Sequence, residues 1–489
     1  MPSSRLWLPN EVLSLIGERI NDHSDRYKLP LVSHQFYQAF SPLLYQDVRL
    51  CDWRQAFSFF QAIIQRPFLA STVRELDASK WQGSSVPQSD WPSLHECPAL
   101  TRHIHGMTHS NEELASWTDH LLQGRCDAWV ALVLPLLSHL EKLSLVCSSS
   151  PRHLTRVLQR GNAVDKSPAS QAILCRLRAV SVFHQNNSAS QIFEEQNDHN
   201  QPEVLSSFMQ LPSMRAVVAD SVVESQVSRE EITSPATNSL HQKTLSTPSI
   251  TGIDLRNSCG NEGMKSLLFG CTNLKSFKYQ HSDQHLASHG FQPARLRRWL
   301  SPSRESLETL WLDQYGEHYA FTAAGLNQTQ DEWFGSLAEF SALKDVRIRL
   351  PNLLDIQYQN QPSHGLVSCL PPTLEILLIE GCAERHVSML VSELQSVIKM
   401  RHTHFPRLRL LGLEGPFQTL STDEQQDAVQ LPGQSRALCY SIKPKVLQAL
   451  EPLHEDCVSA SIGFHLHDRK LVPEEGDGWT PWVSAFPPT

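Results

Sequence analysis

At 489 residues with 40% apolar side chains, the chain can bury a large core, splits naturally into more than one folded unit, and is too apolar for wholesale disorder. Its net charge of −9, from 42 basic and 51 acidic side chains, argues against general nucleic-acid binding. Eleven scattered cysteines, no two closer than Cys259 and Cys271, exclude CxxC redox and zinc-knuckle patterns and point to a reducing, intracellular compartment, cytoplasm or nucleus.

The first fifty residues read as a compact helical module. Val12, Leu13, Ile16 and Ile20 recur at helical spacing and predict one apolar face. Pro9 suits a first helical position, where its missing N–H has no intrahelical role. A second apolar series, Leu29, Val32, Phe36 and Phe40, follows a polar stretch at 21–25. Pro30 breaks that series into two helices, because proline removes a donor and clashes with the preceding turn. Ser33 is placed to cap the later helix and Ser41-Pro42 to end it. Two or three short helices cannot enclose a core, so part of this apolar surface must meet another body, the rest of the chain or a separate protein.

The order Leu8-Pro9-x-Glu11-Val12-Leu13-x-x-Ile16, then Leu29-x-Leu31-Val32-Ser33-x-x-Phe36, closely resembles the F-box. The trailing Pro42-Leu43-Leu44-Tyr45-x-x-Val48-x-Leu50 is similar to the version common in fungal F-box proteins. The F-box is a helical docking module for the Skp adaptor of cullin-based ubiquitin ligases. The resemblance implies that Leu8, Pro9, Ile16, Leu31, Val32 and Phe36 contact that adaptor or shape the surface it meets.

Further along, the strongest apolar run, residues 129–137, is too short to cross a bilayer, and the N-terminus lacks the long apolar region of a secretory signal, so no membrane is expected. A unit of one apolar residue, two of any kind, a second apolar, one of any kind and a third apolar recurs nine times. Its middle residues are Leu143, Val180, Val217, Ile253, Phe277, Leu310, Val346, Leu377 and Leu411, at spacings of 37, 37, 36, 24, 33, 36, 31 and 34 residues. Val73-x-x-Leu76-x-Ala78 reads as an earlier copy and Leu100-x-x-His103-x-His105 as a degenerate one.

The pattern predicts a short strand with one buried face, a return segment, and stacking on the next copy. Residues 384–400 hold the clearest return helix, with Val387, Leu390, Val391, Leu394, Val397 and Ile398 on one stripe; residues 152–160 hold a shorter one, with Leu154, Val157 and Leu158 inward. The series resembles the irregular leucine-rich repeats found downstream of many F-boxes, with Gly381-Cys382 and Gly415-Pro416 as turns. The expected fold class is α/β. A short helical F-box occupies 1–50, a leucine-rich-repeat-like strand/helix solenoid 51–470 with polar loops near 185–203 and 222–249, and a C-terminal tail 471–489, whose Trp479 and Trp482 would cover the last repeat.

Enzyme chemistry is sparse. The sequence contains no HExxH, GxSxG, Walker loop or helix-opening GxGxxG. Three His-x-His pairs, His103/His105, His402/His404 and His465/His467, would share a strand face as metal ligands do, but with 23 histidines such pairs arise by chance. No catalytic residue, metal or cofactor is therefore expected. The positions between buried leucines point into a concave face, where Lys278, Trp311, Arg347 and Arg349 form a basic and aromatic patch suited to an acidic or phosphorylated segment. The expected function is substrate reception in a Skp–cullin–F-box ubiquitin ligase: the module docks on the Skp-type adaptor, and through it a cullin, while the repeats bind a protein substrate. The alternatives are an F-box scaffold acting outside a ligase and, from another class, a metal-dependent hydrolase built on a histidine pair.

Overall fold

Where apolar residues alternate with others over five or six positions, one face of an extended segment is buried, and all nine copies of the repeat form strands whose alternate apolar side chains are buried. The computed structural model describes residues 8–20, 23–83, 85–87, 97–147, 151–162, 174–184, 202–224, 249–260, 262–282, 292–314, 332–356, 361–420 and 440–467. It divides into two compact units, Met1–Ser221 and Val222–Thr489.

The first unit opens with α1 (Asn10–Glu18), α2 (His23–Lys28), a 3-10 turn at Leu29–Leu31 and α3 (His34–Leu44). Pro9 caps α1 rather than opening it, and the Ser33 hydroxyl accepts the Phe36 N–H at 3.2 Å, as the sequence predicts. The break at Pro30 is present as the 3-10 turn. Pro42 does not end α3, which runs to Leu44.

Leu13, Ala39, Phe40 and Leu43 close the small core, with Leu29 and Phe36 packed against it. The expected α1 stripe is thus split: Leu13 is buried, whereas Val12 and Ile16 face outward. The inner line is Leu13, Gly17 and Ile20 at helical spacing. A Cβ on Gly17 would run into Leu43 Cδ1 and lie 2.6 Å from the Phe40 ring, so any side chain there must push the core side chains of α3 aside. Gly17→Val is expected to cost about 1–3 kcal/mol, readable as earlier thermal melting of the N-terminal helices by hydrogen exchange.

The unit continues through β1 (Asp47–Arg49), α4 (Trp53–Gln65), α5 (Pro67–Thr72), β2 (Glu75–Ala78), α6 (Pro98–Met107), α7 (Asn111–Leu122) and α8 (Cys126–Val133). Next come β3 (Lys142–Cys147), α9 (Arg152–Asn162), β4 (Ala179–His184), α10 (Pro202–Met209) and β5 (Ala216–Asp220). The five strands pair in parallel and in sequence order, Val48 opposite Leu76, then Leu143, Val180 and Val217. The degenerate copy at Leu100 is not a strand. It lies in α6, where Pro98 starts a helix and Leu100, Ile104 and Met107 bury one side of it.

The second unit holds β6 (Gly252–Ser258), β7 (Ser276–His281), α11 (Pro293–Leu300), β8 (Thr309–Gln314), β9 (Asp345–Arg349), β10 (Ile376–Glu380), α12 (Val387–Lys399) and β11 (Leu410–Glu414). A small antiparallel pair, β12 (Gln418–Leu420) with β13 (Tyr440–Ile442), precedes α13 (Pro444–Ser459) and β14 (Gly463–His467). β6 to β11 pair in parallel and in order, and β14 joins β11, so Ile253, Phe277, Leu310, Val346, Leu377, Leu411 and Phe464 make one continuous buried row. Each unit is a run of strand-plus-return repeats of the predicted mixed α/β class.

Of the expected polar loops, 185–201 and 225–248 lie outside the described residues, as does the tail at 471–489. The described ends of the expected loops are not loop: Pro202 and Glu203 begin α10, and Val222 and Glu224 are buried. Among the described residues no helix is long and apolar enough to cross a membrane.

Candidate binding surfaces

The N-terminal helices satisfy their own core and still display apolar side chains. Leu31 is 85% exposed, Val32 66% and Leu15 62%, with Leu8, Val12 and Ile16 also exposed. The cause is local. Pro30 is buried in the 3-10 turn, the Val32 N–H is tied to the Leu29 carbonyl at 3.1 Å, and this tight bend turns Leu31 and Val32 outward. Gln35 Nε2 donates to the Leu8 carbonyl at 2.6 Å, holding the start of α1 beside the first turn of α3. Of the six residues assigned to adaptor contact, Leu8, Pro9, Ile16, Leu31 and Val32 are exposed, and Phe36 is half-buried, edge-on to Phe40 at 5.2 Å. Val12 and Leu15 join the exposed set unpredicted; Gly17, four residues after Leu13, is the signal that α1 turns its other side inward.

In the second unit, strand register lines up Lys278, Trp311 and Arg347 in one row. Lys278 Nζ sits 3.6 Å from the Trp311 ring centre and the Arg347 guanidinium 5.7 Å from it. The Trp311 indole N–H donates to Asp345 at 3.1 Å. Burial lowers the Lys278 pKa and raises that of Asp345. The expectation that Arg347 grips a phosphate needs correction: it is 2% exposed, hydrogen-bonded to buried Glu380 and 3.7 Å from buried Asp313. Arg349, opposite Glu380 in register, is also buried. Their charge serves the interior, which leaves the half-buried Lys278–Trp311 pair as the open part of the patch. Toward the other end of the strands, Glu308 bridges Lys344 at 2.6 Å and Lys275 at 3.7 Å, so one carboxylate is shared by both lysines of that row.

None of the three histidine pairs assembles a ligand set. His103 lies on a helix, its ring nitrogen 2.9 Å from the Leu132 carbonyl, and His402 and His404 sit in an exposed turn after α12. His465 and His467 do alternate along β14. Among the described residues, the grouping with metal-ligand chemistry is instead His120, Asp127 and His153, from three helices, whose ligand atoms lie within 4.8 Å of one another. Its bonding is that of a helix cap. The Asp127 carboxylate accepts the N–H groups of His153 and Leu154 at 3.2 and 2.8 Å, closing the start of α9. Arg125 donates to His120 Nε2 at 3.2 Å, which makes Nδ1 the donor to His153 Nε2 at 2.8 Å. A metal-bound imidazole turns its outer N–H to an acceptor, and here a guanidinium occupies that side, so the residues do not fit a metal.

Burial lowers the His153 pKa to about 3 and raises that of Asp127 to about 6. The stability His153 contributes is present above its unfolded pKa of about 6.5 and is lost as pH falls toward 3. Asp127 runs the other way, its contribution present below its unfolded pKa of about 3.9 and lost as pH rises through about 6. Between about pH 4 and 6 the two slopes oppose each other, so in a thermal-melt pH series His153→Phe, which keeps the ring contact with Trp117, is expected to leave stability falling as pH rises, and Asp127→Asn to leave it rising. A proton's worth of slope is about 1.4 kcal/mol per pH unit, and unchanged slopes in both variants would refute the assignment.

Residues 55–426, more than half of the chain, match a family model described as a leucine-rich repeat domain. No curated protein matches the chain.

Proposed function

Because the chain belongs to the leucine-rich repeat domain family, we propose that it binds proteins through its repeats and docks on a Skp-type adaptor through its N-terminal helices, as the substrate receptor of a Skp–cullin–F-box ubiquitin ligase. Leucine-rich repeat domains are typically non-enzymatic binding scaffolds, and stacked repeats offer long surfaces for a partner chain. The observation that carries the adaptor reading is the N-terminal surface: Leu31 and Val32 stand almost clear of the protein beside a small core already closed by Leu13, Phe40 and Leu43. Such exposed apolar side chains mark an interaction site.

On this reading no side chain of the chain performs chemistry. The adaptor and cullin hold a ubiquitin-conjugating enzyme, the repeats hold the substrate, and tethering raises the effective concentration of a substrate lysine. The half-buried Lys278–Trp311 pair is the proposed centre of the substrate face in the second unit.

The test is co-expression with a Skp adaptor and cullin, followed by affinity capture and a ubiquitin-transfer assay on the captured complex. A stable ternary complex that ubiquitinates co-captured protein is the expected result. Adaptor binding without transfer would make the chain a scaffold outside a ligase, and no adaptor binding by folded protein would end the F-box reading.

A further inference from the structure

A second exposed surface lies in the return segments of the second unit, and the backbone is strained to build it. Gly263 and Met264 are consecutive left-handed residues, with φ of +77° and +54°. For methionine that conformation is strained and persists only where the surroundings enforce it. Here they do. The buried Glu224 carboxylate accepts the N–H groups of Glu262 and Met264 at 2.8 and 3.0 Å. The Trp299 indole N–H, from α11, donates to the Glu262 carbonyl at 2.9 Å, and Arg295 pairs with the Glu262 carboxylate at 3.2 Å. A Cβ on Gly263 would lie 2.7 Å from the Arg295 backbone, so no other residue lets the loop come this close to α11.

The clamped loop and helix present an aromatic pair with two cations beside its tryptophan. Phe269 is 51% exposed and lies edge-on to Trp299 at 5.8 Å. Lys265 Nζ and the Arg298 guanidinium stand 5.4 and 5.2 Å from the Trp299 ring centre, both on exposed residues. Of the neighbouring cations, Arg295 and Arg297 are neutralised by Glu262 and Glu339. Lys265 and Arg298 have no carboxylate partner among the described residues.

Rigid tryptophan, phenylalanine and arginine are the side chains enriched where proteins bind one another. We propose that Lys265, Phe269, Arg298 and Trp299 form a docking surface for an acidic protein segment carrying one bulky apolar side chain. The apolar side chain lies on the Phe269–Trp299 edge, and its flanking carboxylates meet Lys265 and Arg298. Two cations on a chain of net charge −9 suit a short acidic peptide and not a polyanion. The inference stands independently of adaptor docking.

The test uses the full-length chain on an array of acidic heptapeptides of Glu and Asp with Phe, Trp, Leu, Met or Ala at the centre, followed by fluorescence anisotropy of the best binder. Saturable binding is expected, weaker by about tenfold or more with Ala at the centre, and weakened similarly by Lys265→Glu/Arg298→Glu and by Phe269→Ser. The charge reversals lie on exposed side chains, so an unchanged melting curve separates lost binding from lost fold. No acidic peptide bound, equal binding of a lysine-based array, affinity unmoved by the double reversal, or tighter binding of a labelled oligouridine would each overturn the proposal.

Discussion

Arg347→Met is expected to lower the opening free energy of β8 to β10 by about 3–5 kcal/mol, read by native-state hydrogen exchange of their amides. Arg347 is 2% exposed and lies between the Asp313 and Glu380 carboxylates, which are buried in turn. Removing the guanidinium takes a shared counter-charge away from two buried acids, which costs more than the ion pair contributes over an apolar replacement. The second half of the experiment follows from the same asymmetry. Arg347→Met/Glu380→Leu is expected to recover much of the loss, because one stranded carboxylate goes with its partner. Arg347→Lys should fall between, keeping the charge but losing the fork that reaches both acids. A loss below about 1 kcal/mol for Arg347→Met would show that the arginine is not the hub of this network. A methionine at Lys278, half-buried against Trp311, should cost less, because solvent still reaches that charge.

That contrast marks where sequence reading succeeds and where it stops. The nine repeats were legible because period-2 alternation is a local signal, and each copy became a parallel strand. β1 was hidden because Val48 belongs at once to the end of the helical module and to the first strand. β14 was hidden because Ser461, in a left-handed conformation with φ of +53°, stands where other copies have a leading apolar residue. The fate of Arg347 required register: Glu380, 33 residues away, becomes a neighbour only once the strands are aligned. The His120–Asp127–His153 cap is built from three helices, and no short motif could announce it. Residues whose meaning depends on their own segment were readable; those whose meaning depends on a neighbouring repeat were not.

The N-terminal helices were legible as helices, and the proposed adaptor docking predicts a loss of binding without a loss of fold. Leu31→Glu/Val32→Glu is expected to cut capture of a Skp-type adaptor by about a hundredfold or more, since two buried carboxylates would replace two apolar contacts at the centre of the surface. The same change should leave stability within about 0.5 kcal/mol, because these side chains are 85% and 66% exposed. Phe40→Ala is the opposite control. Phe40 is 2% exposed in the small core against Leu13, so that variant should lose about 3–5 kcal/mol locally and bind poorly because the helices melt. Leu8→Ala/Pro9→Ala tests the other edge, where Gln35 ties the Leu8 carbonyl to α3. Full adaptor capture by the double glutamate variant would place the docking face elsewhere. Capture lost in that variant while its melting curve overlays the wild type would mean that the outward turn made by Pro30 exists to present Leu31 and Val32 to another protein.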